Sequence, residues 1–135
     1  MDKALNYLGL AKKAGLAELG EEPVGAAARA NRARLVVVAS DATDHTIRRA
    51  KSFVAGTDQQ CVRLPFTKDE MGMAIGRSAL ALAAVTDAAL ALALVQSLPQ
   101  PDAAVLQVLE EKVSKLKKRQ SEAKAHKRNV RKGKK

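Results

Sequence analysis

The sequence predicts an α/β domain with helices layered on both faces of a small sheet. Three observations carry this reading. Short apolar runs of strand length alternate with segments of helical periodicity. Helix start and stop signals fall between them. The surplus charge lies outside this alternating region: residues 111–135 hold 12 Lys and Arg against 2 acids, whereas residues 1–110 hold 12 against 12. A neutral body therefore carries a C-terminal basic helix or tail.

The elements follow in order. Ala4, Leu5, Leu8, Ala11 and Ala14 recur at helical spacing between Asp2 and Ala14, and Gly15 supplies a stop. A short extended piece, Leu16–Leu19, leads to Gly20-Glu21-Glu22-Pro23, whose acids and proline suit the front of an Ala-rich helix, Val24–Ala30. Leu35-Val36-Val37-Val38-Ala39 reads as a strand buried on both faces. The loop Ser40–Asp44 feeds a helix that ends at Gly56, and Cys61–Pro65 is a short strand. Thr67 and Glu70 have capping-box spacing ahead of a helix from Lys68 to Ile75.

Ala79–Leu98 imitates a membrane span, because 16 of its 20 residues are apolar. Thr86-Asp87 at its centre is costly in lipid, so the segment divides into a strand, Leu80–Val85, and a helix, Ala88–Leu98, capped by Thr86 or Asp87. The domain thus occupies 1–98, with a Pro-containing linker at 99–102. Leu106, Leu109, Val113 and Leu116 then predict an amphipathic helix over 103–117, and 118–135 reads as a basic disordered tail.

Composition excludes several functions. The 135 residues suit one domain of about 100 residues plus an appendage, large enough for a core without staples. With Tyr7, Phe53 and Phe66 as the aromatic residues, base stacking on an aromatic platform is disfavoured. The single cysteine, Cys61, permits no internal disulfide and no zinc-site spacing, and reads as a small buried hydrophobe. The N-terminal residues lack the pattern of a secretory signal, so a cytoplasmic setting is expected.

Asp41, Asp44 and His45 form a cluster better explained as turn and capping residues than as a metal or acid–base site. Gly72 and Gly76 are not followed by the Lys-Ser/Thr of a phosphate loop. No catalytic constellation and no cofactor are expected. The basic segments, including Lys117-Lys118-Arg119, Lys127-Arg128 and Arg131-Lys132, point to a phosphate backbone, for which each neutralised phosphate adds about −0.9 to the log–log salt slope on duplex DNA.

Several ordered segments carry a resemblance: Leu8–Gly15, Gly20-Glu21-Glu22, Leu35–Ala42, Met71–Gly76 and Val85–Ala88. Over residues 3–98 the chain resembles the kink-turn-binding ribosomal protein superfamily of L-seven-Ae and L-thirty-e type, in its bacterial YlxQ-like branch. The resemblance implies a three-layer α/β/α sandwich with a small mixed sheet. It also implies RNA contact by a glycine-led loop at the second helix and by the loop before the last strand. Gly20 matches the loop glycine, Glu22 stands in the base-reading segment, Lys68 falls on a phosphate-contacting lysine, and Ile47 falls on an apolar contact near a flipped nucleotide. Arg77 and Ser78 belong to the loop before the final strand. Where family members that read tandem sheared G·A pairs carry Asn, Glu and a later Lys, this chain has Glu22, Pro23 and Ala26.

The function expected is therefore that of a non-catalytic RNA-binding protein of ribosomal-protein type. Its expected partner is structured RNA, ribosomal RNA among the candidates, with no membrane and no small-molecule substrate. The alternative is a protein-interaction adaptor that docks through the Leu106/Leu109/Val113/Leu116 stripe.

Overall fold

The computed structural model describes residues 2–133, with side chains described as far as residue 123. Helix α1 (Lys3–Lys13) is capped by the Asp2 carboxylate, which accepts the Ala4 N–H. Strand β1 (Ala17–Leu19), helix α2 (Glu21–Arg29), strand β2 (Leu35–Val38), helix α3 (Asp44–Val54) and strand β3 (Gln60–Arg63) follow. Next come α4 (Lys68–Ala74), β4 (Leu82–Val85), α5 (Ala88–Gln96) and α6 (Ala103–Gly133). Both polar signals in the apolar half act as the sequence implied. Thr67 and Glu70 form a complete capping box, and Asp87, rather than Thr86, caps α5 by accepting the Leu90 N–H. Among the described residues no helix is long and apolar enough to cross a membrane.

The four strands are ordered β1-β4-β2-β3, with β2 and β3 parallel and the other pairs antiparallel. Strand alternation divides the interior into two cores. Leu35, Val37, Ala83 and Val85 face one side, where they meet Leu5, Leu8, Met71 and Leu94. Val36, Val38, Leu82 and Ala84 face the other, against Val24, Ala27 and Ala50. Helices α1, α4, α5 and α6 thus form one outer layer and α2 with α3 the other, which is the three-layer sandwich. Small residues set the layer spacing. At Gly72 an added Cβ would lie 2.7 Å from the backbone of Ala79, so the chain returning from α4 can run directly along that helix.

Two expectations about the C-terminal region change. Helix α6 continues through 118–133 instead of ending at Lys117, since the segment holds good helix formers and no Pro or Gly before Gly133. Its apolar stripe is also seated only in part. Val105 and Leu109 are buried in the sandwich core, Leu106 and Val113 are half-buried, and Leu116 is 43% exposed. Leu116 lies only about 20° around the helix from Leu109, so it is exposed because α6 has by then run past the sheet end where Lys112 meets Asp58. The stripe expected of an adaptor is therefore spent on the chain's own core at Leu109.

Candidate nucleic-acid interface

The strand registers define two ends of the sheet. At one end Leu19 pairs with Ala83, and Val38 pairs with both Leu82 and Arg63. This end gathers the starts of α2 and α3, helices of 9 and 11 residues with positive dipole ends; α2 has no side-chain cap, whereas the Thr43 hydroxyl accepts the Thr46 N–H of α3. Gly20 is the N-cap of α2 at φ 94°, ψ 167°, a conformation essentially restricted to glycine, and its N–H donates to the Leu82 carbonyl at 3.0 Å. That bond ties the head of α2 to the start of β4.

The other connections at this end are equally specific. The Lys68 N–H donates to the Asp41 carboxylate at 2.8 Å, joining the start of α4 to the loop after β2. Arg63 donates to the Ser40 carbonyl. Arg49 of α3 donates to the Glu21 carboxylate at 2.6 Å while its guanidinium lies 5.1 Å from the centre of the Phe53 ring. Glu21, Glu22, Pro23, Ala26, Arg29 and Arg49 line one surface recess. Arg29 borders Ala26 from one turn along α2, and Arg49, whose sequence position gave no sign of it, comes from the neighbouring helix.

The structure brings Gly20, Glu22, Ile47 and Lys68 to this sheet end and separates the rest. Ile47 is half-buried and packs on the α2/α3 core, while Glu22 and Lys68 are exposed. Arg77 and Ser78 are exposed, but the Arg77 N–H bonds to the Gly72 carbonyl near the far end of α4, so the loop reaches the sheet end only at Leu80 and Ala81. Lys117, Lys118 and Arg119 lie on α6, beyond the opposite end of the sheet. Lys127, Arg128, Arg131 and Lys132 lie outside the residues whose side chains are described.

Of the residues set aside for turn and capping roles, Asp41 has one and the α3 cap falls on a neighbour. Thr43, not Asp44, caps α3, and Asp41, just after β2, also accepts the Lys68 N–H at the start of α4. No group of three His, Cys, Asp or Glu side chains is poised to hold a metal among the described residues. Cys61 is half-buried, and burial pushes its thiol above the usual range, so it stays protonated near neutral pH.

Comparison with known proteins places this geometry. No protein-family profile matches the chain. An RNA-binding protein YlxQ of Enterococcus faecium is 36% identical over 75 residues, covering 56% of this chain and 72% of the relative. Among solved structures, a protein of unknown function from Bacillus halodurans superposes with a TM-score of 0.65 at 27% identity, over 79% of this chain and 99% of that one. The 15.5-kD RNA-binding protein of Giardia lamblia shares the fold, with a TM-score of 0.55 at 18% identity over 85% of each chain. By its similarity to YlxQ over 72% of that relative, the chain belongs to the YlxQ-like family.

Proposed function

We propose that this protein is a non-catalytic RNA-binding protein of ribosomal-protein type that recognises structured, kink-turn-like RNA through the sheet end. The observation that carries the reading is Gly20, whose backbone conformation opens the head of α2 where the amides of a helix start face solvent. Its relative in Enterococcus faecium bears the name of an RNA-binding protein. The absence of a side chain at Gly20 allows close approach of an RNA backbone, and the N-terminal amides favour an anionic group there.

Recognition in this chain must differ from that of family members with Asn, Glu and Lys in the base-reading segment. Glu22 accepts hydrogen bonds but donates none, and Pro23 has no polar side chain. Arg29 and Arg49 border the place where Ala26 lacks a cation, and a guanidinium suits the two major-groove acceptors of guanine. RNA would compete with Glu21 for Arg49.

The test compares a kink-turn hairpin with a straight stem of equal length by fluorescence anisotropy. The native chain should prefer the kink-turn, and Lys68→Glu should weaken that binding by about tenfold, as expected for a lost phosphate contact made repulsive. The combined Glu22→Asn, Pro23→Glu and Ala26→Lys variant should tighten it. Equal binding of both RNAs by the native chain and the triple variant would rule the reading out.

A further inference from the structure

The opposite end of the sheet carries a second concentration of positive charge, built by tertiary contacts. Helix α5 crosses the sandwich toward the Gly20 end, and α6 runs back: Val105 and Leu109 enter the core, and Lys112 then reaches the Asp58 carboxylate at 2.7 Å. Asp58 precedes β3, whose first residue Gln60 pairs with Leu35. Lys112 therefore marks the sheet end remote from Gly20. There Arg34, Lys112, Lys115, Leu116 and Arg119 surround Asp58 in a recess of about 240 Å³.

Four cations face one carboxylate in that recess. The Lys112 hydrogen bond holds the Asp58 carboxyl below its usual range, so Asp58 is spent on Lys112, leaving Arg34, Lys115 and Arg119 to act outward. The Arg34 backbone N–H donates to the Val85 carbonyl at 2.9 Å, and its guanidinium donates to the Asn31 carbonyl at 3.3 Å, which uses one of its five N–H groups. Lys115 and Arg119 are one helical turn apart on the same face of α6. The helix continues to Gly133 and so projects about 30 Å past Lys112, at about 1.5 Å per residue. Glu122 is the acid in the segment from 113 to 133, against nine lysines and arginines.

We propose that this remote end is a second RNA-backbone site, formed by Arg34, Lys115 and Arg119 and flanked on α6 by Lys118. The inference rests on the RNA-binding reading above and adds a consequence that reading lacks. A chain with phosphate-binding surfaces at opposite ends of one sheet bridges two RNA helices instead of gripping one more tightly. The remote site selects duplex RNA by charge, because it has no aromatic platform and no base-reading loop.

The experiment uses the full chain, a kink-turn hairpin and a plain RNA duplex carrying a different fluorophore. Reversing two exposed charges, Lys115→Glu with Arg119→Glu, should weaken duplex binding at least tenfold and flatten its salt slope by about 1 to 2. The preference for kink-turn over straight stem should survive in that variant. With the chain saturated by hairpin, added duplex should form a ternary complex on a native gel. Displacement of hairpin by duplex would overturn the second site, as would duplex binding indifferent to the double reversal. Failure of the native chain to bind either RNA would instead remove the RNA-binding reading and the second site with it. Phosphatidylserine vesicles serve as the competing anionic surface: retention on vesicles without duplex binding would also overturn the proposal.

Discussion

Gly20 combines a conformational and a functional demand at one position. At φ 94° a side chain is strained even though the nearest atom to an added Cβ, Pro23 Cδ, is 4.0 Å away. Space is available, and the cost lies in the backbone. Gly20→Ala should therefore lower stability by about 1–3 kcal/mol in a urea titration, whereas Glu22→Ala, on an exposed helix start, should change it by less than about 0.5 kcal/mol. Equal losses would show that the loop relaxes to accept a side chain. Of the candidate site, Gly20 and its acids were legible in the sequence because they are adjacent and punctuate a helix. Arg49 was not, because it reaches Glu21 and the face of Ala26 and Arg29 only after α2 packs on α3.

At the level of elements, the helices and strands were legible because small aliphatic runs and caps mark them sharply, as at Thr67/Glu70 and Asp87. What escaped was α6. Its length exceeds the apolar stripe that announced it, and it docks through Val105 and Leu109 instead of the whole 3-4-3 pattern, since the helix outruns the sheet end after Lys112. The helix consequently splits into a seated first half and a charged second half. Leu109 is fully buried and Leu116 is 43% exposed, so the two leucines separate these halves energetically. Leu109→Ala should cost about 2–5 kcal/mol by chemical denaturation, and Leu116→Ala should stay within about 0.5 kcal/mol. Comparable effects at both positions would mean that the helix packs further along its length.

Across the whole molecule, the neutral body and the basic C-terminal segment are joined by a helix that is partly core and partly appendage. Charge and stability are therefore separable by where the chain is cut. Removal of 118–135 takes away Lys118, Arg119 and the basic residues beyond them but leaves Val105, Leu109 and the Lys112–Asp58 pair in place. That pair is exposed at Asp58 and contributes no more than about 1 kcal/mol. Removal of 103–135 instead uncovers Leu94 and the face of the core on which Val105 and Leu109 sit. The shorter deletion should leave the urea midpoint nearly unchanged while flattening the salt dependence of RNA binding, and the longer one should lower the midpoint markedly. The sheet end is intact in the shorter deletion, so the preference for kink-turn over straight RNA should persist at reduced affinity. Loss of that preference on removing 118–135 would place recognition in α6, contrary to the separation of the two ends by the sheet.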